Sequence, residues 1–437
     1  MKKAGCFKLR FPNLHGRNDL AMLRSSADSI FLAVLFFFAA VPLISHSRLN
    51  AQTTPQMNIE PRFWIRVLLD DSMEKCTVRI NGGFSVLDSA GQALIPETFF
   101  YEKAAPMEIK VSPAGFYIAG RSFAAMELTI LPDAPHIFSI DGVEYRGKLY
   151  LKALPGATSF EAINIVPIES YLAGVVCAEM SNHTHLEALK AQAVAARTYS
   201  LYNKKKYEYV RDWDVMKTTS SQVYLGLKGE STLSWKAVNA TWGQVLVCDQ
   251  NGLDEIFPAY YSSTCGGHTE DANNVFGEIF PPLRGVVCPY CKNVANPAVF
   301  FWPMVQFDKD GVDFSLQMKY PKLKALGSII NISAFKQSDY ADFSRLTMVK
   351  LDGINGNFDL VRAEDLRLTI DPSGTKIKSS ACKIVSLNNK WAFISGRGYG
   401  HAVGMCQKGA EGMARRGLTA GAILSYYYPS SKISRIY

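Results

Sequence analysis

The chain has 437 residues, 48% of them hydrophobic, so it can bury a substantial core and is neither fibrous nor disordered. Of its +8 net charge, Lys2, Lys3, Lys8, Arg10, Arg17, Arg24 and Arg48 against Asp19 and Asp28 place five before Ala51, and the remaining +3 is ordinary. No basic stretch is interleaved with aromatics as a nucleic-acid groove requires, so nucleic acid is not an expected partner.

Ile30 to Ile44 is an apolar run shorter than the roughly 20 residues of a spanning helix, and Pro42 interrupts its far end. It reads as the core of a signal peptide occupying residues 1–51. Met22 is an alternative start, with Arg24 as the positive flank and cleavage after Ser47 or Ala51. A retained N-terminal membrane anchor is the alternative, since the run can approach a span by tilting or by thinning the bilayer. No Cys closely follows it, which argues against a lipoprotein. Either reading makes the protein exported, to the periplasm or cell envelope.

From Phe63 to about Leu151 apolar and polar residues alternate in short runs, such as Phe63-Trp64-Ile65-Arg66-Val67 and Met126-Glu127-Leu128-Thr129-Ile130, the period of half-buried strands. Asn81-Gly82 and Asp141-Gly142 supply the positive-φ residues of tight hairpins. A helix is expected from Thr184, with Glu187 completing a capping box and Leu186, Leu189, Ala193, Ala196 and Ser200 on one face. Arg197 lies beside that face, so its guanidinium should meet a buried carboxylate or carbonyls, in a structural role or in orienting a site. Lys204-Lys205-Lys206 reads as the solvated end of this helix, where cations favour the macrodipole. Residues 313–390 look again like strands and turns, including Asn355-Gly356. Next come a strand at Trp391–Ile394, a glycine-rich loop and a helix from about Met405 to Arg416, closed by Gly417. There is no internal repeat.

Cys265-x-x-His268 followed by Cys288-x-x-Cys291 sets four soft ligands in two tight pairs, the spacing of a closed Cys3His zinc site. Disulfide pairing is the competing reading in an oxidising compartment. Cys76, Cys177, Cys248, Cys382 and Cys406 show no metal spacing and read as buried thiols. Cys177 lies near Glu179, but no His-bearing motif pairs with it as a nucleophile would need.

Four segments together resemble the stage II sporulation protein D family. The first runs from Ile168-Glu169-Ser170-Tyr171-Leu172 through Ala178-Glu179-Met180 to Ala193-Val194-Ala195-Ala196-Arg197-Thr198-Tyr199. The second is Ser221-Gln222-Val223-Tyr224-Leu225-Gly226. The third is Ala259-Tyr260-Tyr261-Ser262-Ser263-Thr264-Cys265-Gly266-Gly267-His268-Thr269, and the fourth is Gly396-Arg397-Gly398-Tyr399-Gly400-His401-Ala402-Val403-Gly404-Met405-Cys406-Gln407.

The resemblance implies an α+β protein, with an N-terminal β-rich module at 56–151 and a catalytic core at 152–437 holding a groove for a polymer. It also implies lytic transglycosylase activity on peptidoglycan glycan strands, which such an enzyme would meet with or without their stem peptides. The family's catalytic glutamate falls at Glu179. A carboxyl on a turn beside Val175, Val176 and Met180 would be partly desolvated and partly protonated, able to act as acid and then as base. The bland alternative is a charge favouring the next helix's N-terminus. Arg197, Tyr224, Ser262, Ser263, His401 and Gln407 are substrate contacts by motif match, with structural hydrogen bonding as the alternative for each. The glycines of the fourth segment would let a sugar chain approach the backbone. Where the family reads Gly-His-Gly this chain has His401-Ala402, so a methyl group narrows the loop or restricts its φ. Some members bind zinc near the cleft, which supports a structural zinc on Cys265, His268, Cys288 and Cys291. One branch of the family consists of amidase enhancers, so a non-catalytic module serving a cell-wall amidase is the rival reading; a hydrolase of the same bond is another.

Overall fold

The computed structural model of the protein describes residues 60–94, 99–100 and 105–437. The apolar leader, its cleavage sites and Cys6 lie outside them. The described residues form one compact unit, and no helix among them is long and apolar enough to cross a membrane.

The unit is α+β. Among the described residues twelve strands come first: β1 Trp64–Met73, β2 Lys75–Ile80, β3 Gly83–Leu87, β4 Phe99–Phe100, β5 Met107–Ser112, β6 Gly115–Ile118, β7 Arg121–Phe123, β8 Glu127–Pro132, β9 Ile137–Ile140, β10 Val143–Arg146, β11 Lys148–Ala153 and β12 Phe160–Pro167. Alternation in the sequence becomes alternation in burial, strictly so in β2 and β8, because successive side chains leave opposite faces of a sheet. One sheet has the order β10-β9-β2-β5-β6-β7. Its Val78, Ile109 and Phe138 share a core with Ile65, Leu128 and Leu149 of the other.

That other sheet does not stop at residue 151. It takes in β12, which pairs with both β1 and β11, and a short β13, Val215–Met216, parallel to β1. The N-terminal strands are therefore continuous with the region read as the core. Asp141-Gly142 forms the expected two-residue hairpin, both φ angles positive, between β9 and β10. Asn81-Gly82 does not. Gly82 has φ +120, but β2 and β3 belong to different sheets, so the turn carries the chain from one layer to the other.

β12 runs directly into helix α1, Ile168–Met180, which is buried on nearly every side, as expected of a helix at the centre of a domain. Helix α2, Leu186–Tyr207, packs on it. Its N-cap is His185, whose ring accepts from the Glu187 N–H. The expected Thr184–Glu187 capping box is absent, because the Thr184 hydroxyl donates back to the Met180 carbonyl while the Glu187 carboxylate accepts from the Ala420 N–H. Ala188, Ala191, Ala195 and Ala196, all fully buried, let α2 approach its neighbours closely. Then come α3 Thr232–Ala240, β14 Gln244–Gln250, β15 Leu253–Ile256 and β16 Tyr261–Ser262.

Short helices α4 Ala272–Val275 and α5 Pro297–Phe300 lead into a segment with its own core. Its elements are β17 Phe301–Trp302, β18 Val305–Asp308, α6 Lys309–Lys319, β19 Ile329–Asp339, β20 Ser344–Gly353, β21 Phe358–Arg362, α7 Ala363–Ile370, β22 Lys383–Leu387, β23 Lys390–Ile394 and β24 Gly396–Arg397. Trp302, Leu316, Val349, Leu366, Trp391 and Phe393 build that second core. The region read as strands and turns thus also contains α6 and α7. Asn355-Gly356 does turn β20 into β21, with Gly356 at φ +84.

This lobe is anchored to the third motif. Arg345 Nη2 donates to the Cys265 carbonyl at 2.6 Å, Tyr340 Oη to Glu270 Oε2 at 2.7 Å and Ser338 Oγ to Glu270 Oε1 at 3.0 Å. The chain ends with β25 Met405–Cys406, α8 Gln407–Ala414, α9 Ala420–Tyr427 and β26 Ser431–Arg435. β25 lies parallel to β16, with Ser262 opposite Cys406.

Candidate active site and metal centre

Glu179 sits in the last turn of α1, not on a turn before α2. Its Oε1 accepts from the Val223 N–H at 2.7 Å and its Oε2 from Gln407 Nε2 at 3.3 Å. The second and fourth motifs therefore converge on the carboxyl of the first. Burial pushes its pKa up, and the two hydrogen bonds pull it back only in part. The negative end of the α1 dipole acts in the same direction as burial. No cation pairs with Glu179 among the described residues. A desolvated carboxyl without a counter-charge keeps its proton to higher pH than a surface one.

Gln407 also reaches Gln192 Oε1 at 3.4 Å, while the buried Gln192 Nε2 has no partner among the described residues. Tyr171 and Tyr261 complete the surroundings. Burial raises both phenols well above their ordinary value, and the Glu179 charge adds to the effect on each.

The other motif residues have protein partners of their own. Arg197 is fully buried, donating from Nε and Nη2 to Glu169 at 2.9 and 2.6 Å and from Nη1 to the Gln244 carbonyl at 3.0 Å. Glu169 accepts further from the Gly243 N–H at 3.2 Å and from the Tyr437 hydroxyl. This is the buried-carboxylate partnership expected for Arg197, and it ties α1, α2 and the C-terminus together. Tyr224 is buried, donates to Asn164 Oδ1 at 3.0 Å and packs on α1 at Gly174. A Cβ at Gly174 would lie 2.7 Å from the Tyr224 ring and 2.9 Å from the Gly226 carbonyl, so the first and second motifs fit together because that position is glycine.

Ser262 is buried in the β16–β25 pair, and Ser263 Oγ lies 3.4 Å from Thr264 Oγ1. His401 is flanked by Tyr260 and Phe276, and its Nδ1 accepts from the Val403 N–H at 3.0 Å. Burial pushes its pKa down to about 4, so the ring is neutral. The next residue, Ala402, is buried with φ +62, a conformation that favours glycine. The glycines of the fourth motif serve protein packing. A Cβ would meet the Trp302 ring at Gly396, the Thr264 carbonyl at Gly398 and the Ser262 Cβ at Gly400.

Four cysteine sulfurs, of Cys265, Cys288, Cys291 and Cys406, lie within 4.8 Å of one another and are all buried. The fourth member corrects the expected Cys3His set. His268 turns away, its Nδ1 2.6 Å from the Thr269 carbonyl oxygen and its ring stacked on Tyr340. Cys406 arrives from far along the chain through the β16–β25 pairing, which local spacing does not reveal. Cys265 and Cys291 Sγ are 3.8 Å apart, close to the edge of roughly 3.8 Å of a sulfur tetrahedron with metal–sulfur bonds of about 2.3 Å.

Cys406 Sγ accepts from the Cys265 and Gly409 N–H groups at 3.2 and 3.3 Å, and Cys288 Sγ lies 3.0 Å from Tyr427 Oη. The neighbouring thiols and Tyr427 hold Cys288 far below the usual thiol range, while burial pushes Cys265 and Cys406 up. All eight described cysteines are free. The cluster is thus a soft, closed, pre-formed set of donors able to hold a metal ion. Gly409 admits α8 to it, since a Cβ there would lie 2.7 Å from Cys288 Sγ and against Tyr427 Oη.

A family model described as stage II sporulation protein matches residues 157–248, which span α1, α2, the Val223 loop and α3. An uncharacterised protein of Brachyspira hyodysenteriae is 32% identical over 371 residues, covering 83% of this chain and 91% of the relative. The chain belongs to the stage II sporulation protein D family. The stage II sporulation protein D of Bacillus subtilis is 27% identical, covering 66% of this chain and 82% of the relative. The amidase enhancer of Bacillus subtilis is 26% identical over 81% of this chain, which spans 53% of that relative's length. Within the stage II sporulation protein D family the chain's motifs fall on two centres, one at Glu179 and one at the four cysteines. Sequence reasoning missed Cys406, Gln192 and Tyr261. Tyr261 adjoins Ser262 in the third motif, but only the fold shows that its hydroxyl meets Gln222 and that the Glu179 charge acts on it.

Proposed function

We propose that the protein is an exported lytic transglycosylase that cleaves the bond between N-acetylmuramic acid and N-acetylglucosamine in peptidoglycan glycan strands. The observation that carries this reading is a carboxyl, Glu179, raised by burial, without a counter-charge among the described residues and held by one backbone N–H and one amide. Oε1 is occupied by the Val223 N–H, so the proton belongs on the more weakly engaged Oε2. It passes to the glycosidic oxygen as the C1–O bond breaks. The carboxylate then takes the proton of the C6 hydroxyl as that oxygen bonds to C1. The product is a 1,6-anhydro end, and Glu179 regains its proton. One group serves as acid and base, where most glycosidases need two carboxylates.

The four cysteines would hold a structural zinc, the metal that four thiolates in a closed tetrahedral set favour. Zinc would clamp the third motif, the Cys288–Cys291 turn and the start of α8. Because Cys406 precedes Gln407, the clamp would also set the amide that touches Glu179. The apolar leader supports export, by signal peptide or retained anchor.

The name of the Bacillus subtilis amidase enhancer supports a second reading, a non-catalytic glycan-binding module that assists a cell-wall amidase. Mass spectrometry of products from intact and amidase-treated peptidoglycan separates the readings. Anhydro ends support the transglycosylase, reducing ends mean a hydrolase, and binding without new ends favours the enhancer.

A further inference from the structure

Gln222 is a buried hub behind the Glu179 site. Its Nε2 faces the Ala196 carbonyl at 3.3 Å, and a carbonyl can only accept, so the nitrogen must lie on that side. Its Oε1 is then placed to accept from Tyr171 Oη at 2.9 Å and Ser200 Oγ at 2.7 Å. With the amide so oriented, the second Nε2 hydrogen goes to Tyr261 Oη at 2.9 Å. The Tyr261 oxygen is therefore an acceptor toward the protein, and its own proton points away from Gln222. No protein acceptor takes that proton among the described residues. The side chain is only partly buried, and Glu179 is the charged group that acts on it most strongly. The phenol stays protonated across the physiological range, because burial and that charge both oppose ionisation.

We infer that Tyr261 is a second catalytic residue, its hydroxyl donating a hydrogen bond to an oxygen of the sugar whose glycosidic bond Glu179 protonates. The three-residue chain of Tyr171, Gln222 and Tyr261 holds that donor in a fixed orientation before substrate arrives, which is the arrangement that makes a hydrogen bond effective in a transition state. Ser262, next in sequence, faces the other way into the β16–β25 pair. The inference rests on the transglycosylase reading for its effect on rate, but its binding contact stands without it.

Tyr261→Phe removes the hydroxyl and keeps the ring. Cleavage of amidase-treated glycan strands should slow by about 10- to 100-fold, the range for one lost hydrogen bond to a substrate, with the melting temperature unchanged. A rate within twofold of wild type in a folded variant overturns the assignment. Independently, the Tyr261 ζ-carbon resonance of tyrosine-labelled Glu179→Gln protein, assigned by its loss in Tyr261→Phe or by replacing the other site tyrosines, should shift when the same strands are added. No shift overturns the contact, including where Tyr261→Phe fails to fold. If the wild-type protein yields no new glycan ends, the transglycosylase reading fails, and the resonance still decides whether Tyr261 touches glycan.

Discussion

Glu179→Gln is the most informative single change. The variant keeps the Val223 N–H bond to Oε1 and puts an amide nitrogen where Oε2 faced Gln407 Nε2 at 3.3 Å. Two donors then oppose each other until Gln407 turns its carbonyl inward. That carbonyl meets Gln192 Oε1 across the present 3.4 Å contact, so Gln192 turns as well and its Nε2, without a partner among the described residues, gains an acceptor. Two amide rotations restore the network, so the fold should not weaken.

The pH dependence has a definite sign. Glu179 is raised in the folded state, so its contribution to stability is fully present below the unfolded carboxyl pKa and is lost as pH rises through the folded value. Glutamine stands in for the protonated carboxyl at every pH, so the variant should be as stable as wild type at pH 4 or below, and equally or more stable at pH 7. Activity should fall by about 10²–10⁴-fold, the range for a general acid–base group, and the wild-type rate should decline as pH rises through the raised pKa. Product-end analysis and thermal melts at pH 4 and pH 7 on one variant test all of this. A fully active Glu179→Gln protein, or one less stable at pH 7 than wild type, refutes the reasoning.

Cys406→Ser should abolish binding of one metal ion per chain and lower the melting temperature, whereas His268→Ala should retain the metal; elemental analysis and calorimetry distinguish this from a site using His268. Arg197→Met leaves Glu169 buried without its cation, so it should cost about 3–5 kcal/mol, read by denaturant unfolding, with activity per folded molecule unchanged. Gly174→Ala drives a methyl group into the Tyr224 ring and the Gly226 carbonyl, and about 1–3 kcal/mol of destabilisation is expected by the same assay.

Much of the fold and site was legible in the sequence because it depends on local pattern. Period-two alternation marked the strands from Phe63 onward, Asp141-Gly142 marked a true hairpin, and the Ala-rich run after Leu186 marked α2. The family and Glu179 came from motifs whose residues lie close together in the chain. Tertiary structure decided the features that depend on distant segments meeting. Asn81-Gly82 has the same turn chemistry as Asp141-Gly142, yet it joins two layers, because strand pairing is chosen by the whole sheet. The capping box at Thr184 gave way to His185 because Glu187 found the Ala420 N–H at the start of α9. Arg197 and Tyr224 proved to be packing partners of Glu169 and Asn164, and the fourth sulfur proved to be that of Cys406. A short spacing can name two ligands of a centre. The rest are set by which strands pair, and the β16–β25 pair sets Cys406 opposite Ser262, so that Cys406 joins the other three sulfurs while the next residue, Gln407, reaches Glu179.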